Sequence, residues 1–380
     1  MRSFFFVCLL LVGLACPALS AAQNPFQRTP LAENAALQYW QAFAQMQSLD
    51  KDQMKVLEEW NTVSLDDPAV KKVLDAGQSS LMYLHRGARM KQCDWGLDYG
   101  DGISMLMPHL AKARDLARLA ALHGRQEFER GSPKLARGDA TSIMVLARHV
   151  GRDPTMICVL VRFGIEGLAV DLFAPHVTEL KAPYSQAVAM FEALPPAPGV
   201  LQTLVVEKNY FAAWIAKKLR EEEARQPGAG LTLWKNFVLG ADVPEAIKQL
   251  KIEEAIRRTE ELLPVYDELA KLVALPKDQF DAQYPAFIQK AKEANPVAGL
   301  IVPAVDQLLA KERRHQARLA MSMAATAVAE GGPDKLKDIK DPFGDGPFTY
   351  RQLDKGFELQ SKLLFEGQPV TLKAGQGAKK

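Results

Sequence analysis

The stretch GSPKLARGDATSIMVLARHVGRDPTMICVLVRFGIEGLAVDLF, residues 131–173, decides the fold class. Apolar residues recur in it every three to four positions, which is the period of an amphipathic helix. Gly131-Ser132-Pro133 and Gly151-Arg152-Asp153-Pro154 each end one helix and start the next, since glycine and proline interrupt helices. Short turns bring successive helices side by side. We therefore predict an all-α protein of antiparallel helix hairpins in a solenoid-like or bundle array.

The helical pattern extends over most of the chain on both sides of this stretch. Asp66-Asp67-Pro68 predicts a helix start, because acidic residues cap helices and proline fits the first turn. The proline-rich segment 194–199 cannot continue a helix, so we divide the helical region into lobes of residues 23–194 and 195–332. Long helices are predicted for three ranges: 103–130, 242–275 and 296–329.

The pattern changes after Gly331-Gly332-Pro333. Apolar and polar residues alternate over 348–353 and again over 357–360, with Asp354-Lys355-Gly356 between them. Alternation around a short turn that contains glycine is typical of a β-hairpin. We predict a small C-terminal β-hairpin module over residues 333–372, followed by a disordered tail of small and basic residues over 373–380.

The first 22 residues have the features of a secretory signal peptide. Arg2 supplies a positive charge, residues 4–16 form an apolar run, and the small residues Ser20-Ala21-Ala22 follow. The run is shorter than the roughly 20 residues that a membrane-spanning helix needs. We predict export with cleavage after Ala22, a periplasmic or extracellular location, and no transmembrane segment in the mature chain.

Two of the four cysteines, Cys8 and Cys16, belong to this signal peptide. Gly13 lies three residues before Cys16, where lipoprotein signals prefer leucine, so we expect no lipid anchor. Cys93 and Cys158 remain, and they could form one disulfide in an oxidising compartment. Because Cys93 lies in a polar loop and Cys158 in an apolar helix, we favour separate thiols, with Cys158 buried.

The amino-acid composition argues against some classes of binding partner. Hydrophobic residues make up 48% of the 380-residue chain and charged residues 24%, as in an ordinary soluble globular protein. The net charge of +2 argues against the concentrated basic face of a nucleic-acid-binding protein.

Gly164-Ile165-Glu166-Gly167 lacks the strand and turn of a phosphate-binding loop, so we expect no cofactor. Glu166 lies at helical spacing from Arg162, which indicates an ion pair.

The C-terminal segment resembles parts of known proteins. The residues Asp341-Pro342-Phe343-Gly344-Asp345-Gly346-Pro347-Phe348-Thr349-Tyr350, followed by Gly356-Phe357-Glu358-Leu359, resemble the end of uncharacterised exported helical proteins of environmental bacteria. The same segment, about a tenth of the chain, is similar to the C-terminal β-region of type II secretion pseudopilins. The chain lacks the prepilin-type start, which argues against a filament subunit. The resemblance implies an exported setting and a helix packed on a hairpin, and it implies no catalytic residue.

The segment from Cys93 to His109 is the best candidate binding region. Carboxylates on its glycine-rich loop could bind Ca²⁺, which prefers oxygen ligands. Asp94, Asp98 and His109 are therefore the candidate metal ligands, although their spacing differs from that of an EF-hand. The alternative, which we favour, is a polar connection whose acidic residues cap the following helix.

Two further groups of residues are weaker candidates. His123 and Glu127 lie four residues apart on one helix face, but a zinc site needs three or four ligands, so a surface ion pair is favoured. His149 and Asp153 with a nearby serine have the residue types of nucleophilic catalysis. Ser142 lies within a predicted helix, however, and no Gly-x-Ser-x-Gly turn is present.

These observations favour a non-enzymatic exported scaffold or interaction protein with a protein partner, because helical arrays offer extended binding surfaces. The alternative is a small-ligand- or metal-binding protein, or an enzyme, whose site is assembled from distant helices around the Cys93–His109 loop. The positions of five residues distinguish the two hypotheses, namely His85, Asp94, Asp98, His109 and His149. Their convergence in one pocket would favour the alternative, whereas scattered positions would favour the scaffold.

Overall fold

The computed structural model describes residues 33–46, 49–180, 183–238 and 243–377, apart from the side chains of residues 301 and 303. The predicted signal peptide lies outside them. The described residues are mostly helical and end in a small antiparallel sheet, as predicted. Their α-helices are α1 Ala35–Gln45, α2 Lys51–Glu58, α3 Pro68–Ala88, α4 His109–Glu129, α5 Pro133–Val150, α6 Met156–Phe173, α7 Tyr184–Glu192, α8 Val200–Val206, α9 Ala213–Arg225, α10 Ala229–Phe237, α11 Glu245–Lys248, α12 Ile252–Glu260, α13 Leu262–Val273, α14 Lys277–Ala294 and α15 Ala298–Gly331.

The start of α3 and the turns between α4, α5 and α6 are those that the sequence predicts. The Asp67 side chain accepts a hydrogen bond from the amide of Ala69 at the start of α3, and Pro68 occupies the first turn. Short connections over residues 130–132 and 151–155 join α4, α5 and α6, and these three helices pack against one another. The solenoid-like repetition of such hairpins stays a prediction.

Helix α6 lies among the three main hydrophobic clusters. Ile165 packs in a first cluster with α1, α3, α4 and α5, whereas Phe163 packs in a second with α8 to α15. Val170 packs in a third with the end of α15 and the sheet. The cores therefore do not separate at the proline-rich segment by which the sequence divides the lobes.

The predicted helix over 103–130 is wrong at its start. A 3-10 helix, Tyr99–Ser104, comes first, and α4 begins only at His109. Pro108 precedes α4, and Gly102 interrupts the chain with a positive φ of 54° and a ψ of −129°, outside the helical region. Proline restricts the residue before it to extended backbone, which keeps residues 105–107 out of the helix.

The predicted helix over 242–275 is also wrong, because three helices occupy this range. Pro264 lies in the first turn of α13 and has no amide hydrogen to donate to the preceding turn. The chain therefore breaks between α12 and α13. The helix predicted over 296–329 is confirmed as α15, and a π-helix, Glu207–Ala212, connects α8 to α9.

The C-terminal hairpin is confirmed, and a third strand extends it. Strand β1 is Thr349–Gln352, β2 is Phe357–Phe365 and β3 is Gln368–Ala374, in the antiparallel order β1-β2-β3. Glu366 and Gly367 both have positive φ, as a tight two-residue hairpin turn requires. The disordered tail predicted over 373–380 is therefore wrong at its start, since Lys373 and Ala374 belong to β3. Residues 378–380 lie outside the described part.

The motif that carries the C-terminal resemblance has a structural role. Asp341 is fully buried, and its carboxylate accepts hydrogen bonds from the Ser361 hydroxyl at 2.9 Å and from the Lys362 amide at 2.6 Å. It also accepts one from the amide of Phe343 at 3.0 Å. The motif thus fixes the loop before β1 to the middle of β2, while α15 covers one face of the sheet.

Candidate functional site

The two predicted acidic ligands turn their carboxylates toward their own loop. Asp94 accepts a hydrogen bond from the amide of Gly96 at 2.8 Å, and Asp98 accepts one from the amide of Gly100 at 2.9 Å. Asp98 thereby caps the 3-10 helix. The alternative interpretation had these acidic residues cap the long helix that follows, but Asp98 caps the 3-10 helix within the loop, and α4 starts after Pro108 without a side-chain cap.

The third predicted ligand, His109, is the first residue of α4 and is only 1% exposed. Its ring stacks on the indole of Trp95 with centroids 4.4 Å apart. Neither ring nitrogen has a hydrogen-bond partner. Burial lowers the pKa of His109 to about 4, so the imidazole is neutral near pH 7. His109 is therefore a buried, neutral imidazole with free nitrogen lone-pair and N–H groups.

The five residues whose convergence would favour a ligand site converge only in part. Trp95 stacks on His109 and donates a hydrogen bond to the carbonyl of His149 at 2.9 Å. The His149 ring shares a hydrogen bond of 2.8 Å with the Tyr39 hydroxyl. His85 instead contacts residues of α5. Among the described residues, no group of three or more His, Cys, Asp or Glu side chains is arranged to hold a metal ion.

A carboxylate between two histidines is the main cluster that the sequence did not predict. Asp139 of α5 is 1% exposed, and its Oδ2 lies 2.7 Å from Nδ1 of His123. Its Oδ1 lies 3.1 Å from Nε2 of His85, an ionic contact without the alignment of a hydrogen bond. The side chain of His85 is 34% exposed, and that of His123 is 29% exposed. Asp139 thus connects α3, α4 and α5.

The His123 environment corrects the predicted surface ion pair. Glu127 is buried, and its Oε1 lies 3.9 Å from Nε2 of His123, farther than the Asp139 contact. The hydrogen bond to Asp139 raises the pKa of His123, and the Asp139 and Glu127 charges add to this against the opposing effect of burial. The His123 ring is therefore held mainly by a residue 16 positions away in the sequence.

His85 also forms an arrangement similar in order to a serine-histidine-aspartate triad. Its Nδ1 shares a hydrogen bond of 2.8 Å with Ser142 Oγ, while Asp139 lies on the opposite side of the ring. Ser142 is 5% exposed within α5, and its hydroxyl donates to the carbonyl of Gly138 at 2.9 Å. A nucleophile must reach its substrate, so this geometry fits helix packing better than catalysis. His149 and Asp153 do not join it.

A second buried ionic cluster lies where α5, α6 and α15 meet. Glu166 is 1% exposed; it contacts Arg148 at 2.5 Å, and it also contacts His315 of α15. The predicted ion pair with Arg162 is present at 4.0 Å. Burial favours the protonated acid, yet the His315 and arginine partners lower the pKa of Glu166 overall. The cluster neutralises a buried charge and holds three helices together.

Two thiols and a thioether lie near the start of α6. Cys93 and Cys158 are both free and buried, so the separate thiols favoured from the sequence are confirmed, and Cys93 is buried as well. The Cys158 Sγ lies 3.7 Å from the Sδ of Met107. Burial raises the pKa of Cys158 to about 12, and both thiols interact electrostatically with Asp153. Burial also raises the pKa of Asp153 to about 6.

Exposed aliphatic side chains lie on three chain segments whose buried residues contact one another in this region. We call them the apolar patch. They come from the loop before α4, from the first two turns of α6 and from the end of α8, and they are Ile103, Leu106, Ile157, Leu160 and Val205. Leu106 is 82% exposed. Large exposed apolar groups cost free energy in water, so a cluster of them marks an interaction surface more often than isolated ones do.

Comparison with protein-family models, with curated proteins and with solved structures gave no match. No helix within the described ranges has both the length and the hydrophobicity needed to cross a membrane.

Proposed function

We propose that this protein is a non-enzymatic, exported interaction protein that binds a protein partner through the apolar patch. The observation that carries the proposal is that exposed aliphatic side chains lie next in sequence to buried residues through which three separate chain segments contact one another. It is supported by the placement of the ionisable clusters, whose members pair with one another inside the helical packing.

The three segments of the patch are held together by their inward-facing neighbours. Met105 and Val206 pack in one small cluster beneath the surface, next in sequence to Leu106 and Val205. Met107 contacts Cys158, which follows Ile157. The exposed members are therefore presented by a supported surface. Such a surface reduces the entropy lost when a partner binds.

The chemistry of the patch suits the apolar face of a protein. Its members are aliphatic and none can form a hydrogen bond through its side chain, so they provide little recognition of a polar small molecule. The fully buried centre of a protein interface is typically depleted of charge and rich in apolar area. A partner with a complementary apolar face would remove this area from water.

Site-specific photo-crosslinking tests the partner. Crosslinkers placed at Leu106, Ile157 and Val205 of the full chain, in cells of its own source, should yield one shared protein adduct. Crosslinkers at the exposed Leu135 and Leu364, outside the patch, serve as matched controls. Equal adducts at the controls, or different adducts at each patch position, would contradict the proposal. Sedimentation velocity separates self-association from a second protein.

The exported location has a separate test. Amino-terminal sequencing of the mature chain should begin at Gln23, with the protein in the periplasmic or extracellular fraction. The resemblance of the C-terminal segment to exported proteins supports this location. A mature chain that retains Met1 and stays in the cytoplasm would overturn it.

A further inference from the structure

We propose that the partner binds through a basic amphipathic helix that lies along the exposed side of α6, with its Lys and Arg side chains facing Asp98 and Asp101. The proposal rests on the partner-binding role given above, and it names the chemistry of the partner. It starts from the side of α6 that stays exposed although the helix packs in three hydrophobic clusters.

The exposed side of α6 has the spacing of a helix face. Ile157 is 48% exposed and Leu160 is 37% exposed. Gly164 is exposed as well, and a Cβ built on it would meet nothing within 4 Å. Positions three and four residues apart lie on the same side of a helix. These three residues, which we call the α6 stripe, therefore form an open apolar face about two turns long.

The shape of the α6 stripe suits a second helix. Rows of side chains on one helix pack into the grooves of another, and the missing side chain at Gly164 lets a second backbone approach closely. Helices recognised in this way present apolar side chains at the same spacing of three and four residues. Leu106 and Val205 on the neighbouring segments supply further apolar area.

A loop that carries two exposed carboxylates is fastened at the start of α6. The Tyr99 hydroxyl donates a hydrogen bond of 2.9 Å to Asp153, three residues before the helix begins. Asp98 and Asp101 lie one and two positions from Tyr99 in the sequence, and both are exposed. The loop therefore presents negative charge beside the end of α6 at which Ile157 lies.

The three segments that bear the apolar patch carry an excess of negative charge. Residues 92–111, 152–160 and 205–208 contain five acidic side chains and two basic ones. The two basic side chains already have partners: a backbone carbonyl lies 2.7 Å from Arg152, and a carboxylate lies 2.6 Å from Lys208. The charge of this surface is therefore not neutralised from within these segments.

This charge selects the kind of partner. Within the described part of the chain, Asp98 and Asp101 form no ion pair. Interfaces bring opposite charges together, and like charges facing each other oppose binding. An anionic membrane attracts basic segments, so an acidic surface disfavours it. A protein helix with leucine-like side chains on one face and basic side chains beside them matches both the apolar and the acidic features.

The test uses the full chain and two labelled synthetic peptides. Both peptides form helices of about 18 residues with leucine on one face, and the other face carries lysine in one peptide and glutamate in the other. Fluorescence anisotropy measures their affinities. We expect the lysine peptide to bind at least about tenfold more tightly. Raising the salt from about 0.05 M to about 0.2 M should narrow this difference, because salt screens exposed charges.

A pair of charge variants tests the two carboxylates. Asp98→Asn combined with Asp101→Asn should weaken binding of the lysine peptide about fivefold, the scale of two exposed ion pairs. Asparagine retains the cap that Asp98 provides. Asp66→Asn combined with Asp338→Asn makes the same change in net charge at exposed sites elsewhere and should leave the affinity unchanged.

A pair of glycine variants tests the path of the helix. Gly164→Leu fills the space that the partner backbone needs and should weaken binding of the lysine peptide about tenfold or more. Gly138→Leu is the matched control, at an exposed glycine of α5 whose Cβ also meets nothing within 4 Å. Both variants should fold, since leucine favours helix more than glycine does. A merely apolar surface would instead bind more tightly after Gly164→Leu.

Each other outcome overturns part of the proposal. Equal affinities for the two peptides, no measurable binding of either, or equal effects of the two aspartate pairs would overturn the basic partner. Unchanged or tighter binding in Gly164→Leu would overturn the helix along α6. Binding to phosphatidylglycerol vesicles in place of the lysine peptide would indicate a membrane surface. The crosslinking test of the proposed function stands apart from all of these, because an adduct at Leu106 or Val205 does not depend on the charge of the partner.

Discussion

Oδ2 of Asp139 and Nδ1 of His123 lie 2.7 Å apart, which joins a fully buried carboxylate to a partly exposed imidazole. The second oxygen of Asp139 faces His85, so one carboxylate connects helices α3, α4 and α5. A buried charge of this kind is stabilising only while its partners remain charged or hydrogen-bonded. Two of our predictions follow from this relationship.

The first prediction concerns pH. The folded-state pKa of His123 is raised above its unfolded value of about 6.5, so its contribution to stability is fully present below that pH. The contribution is lost as pH rises through the folded pKa. The free energy of unfolding, measured with urea at intervals from pH 5.5 to 8.5, should include a fall from His123, opposed by the rise that the lowered pKa values of buried His109 and His149 produce. In His123→Asn the fall should be smaller, and an identical pH profile in the variant would refute this role.

The second prediction concerns the carboxylate itself. Asp139→Asn removes the charge that both histidines face, and breaking a buried pair typically costs about 3–5 kcal/mol. We expect a loss near the lower end, about 3 kcal/mol, because His85 and His123 retain contact with water. Glu127→Gln is the control: its contact with His123 is 3.9 Å long, and its 3.1 Å partner Arg130 is 60% exposed, so urea denaturation should show a clearly smaller loss. Equal losses in the two variants would contradict the central role of Asp139.

The third prediction concerns the buried Asp341. Asp341→Asn replaces a carboxylate oxygen by an amide nitrogen, which cannot accept from Ser361 and Lys362. We expect a loss of about 2 kcal/mol, since hydrogen bonds to charged groups are worth about 1.5–3 kcal/mol. Amide hydrogen exchange should accelerate in β2 more than in α4. Asp338→Asn, at an exposed site near the same loop, should change neither quantity.

The fourth prediction separates backbone strain from steric overlap at two glycines. Gly102 and Gly131 both have positive φ, and a side chain in this conformation costs about 1–2 kcal/mol. A Cβ at Gly102 would also overlap the indole of Trp214, whereas nothing lies within 4 Å of one at Gly131. Gly102→Ala should therefore destabilise the protein more than Gly131→Ala in thermal unfolding. It should also weaken the 2.8 Å hydrogen bond from Trp214 to the carbonyl of Gly100.

The sequence predicts those parts of the fold that depend on local chemistry. The cap at Asp67, the turns around Gly131 and Gly151 and the alternation in β1 and β2 are local signals, and the structure confirms them. The helix breaks at Pro108 and Pro264 were missed because apolar periodicity continues across both prolines. Periodicity reports which face of a helix is buried and does not report where the chain stops and restarts.

The contacts of the candidate site were harder to predict from the sequence than the fold, because they join residues that lie far apart in the chain. His85 and Asp139 lie 54 positions apart, as the residue numbers show, and they meet only because α3 packs on α5. Met107 and Cys158 meet in the same way, through the packing of a loop on α6. The spacing of His123 and Glu127 was visible in the sequence, but the closer partner of His123 comes from another helix.

The segment that follows β3 packs on residues from the first half of the sequence. The amides of Gly375 and Gly377 donate hydrogen bonds to the carbonyls of Ala174 and Pro175, at 2.9 and 2.8 Å, just beyond the end of α6. Val170 and Val177, on either side of these carbonyls, are buried against α15 and the sheet. Because a chain is synthesised from its amino terminus, this surface stays bare until β3 and the glycines that follow it have been made. A truncation of the last strand therefore leaves an uncovered apolar surface in the first half of the protein, some 200 residues upstream.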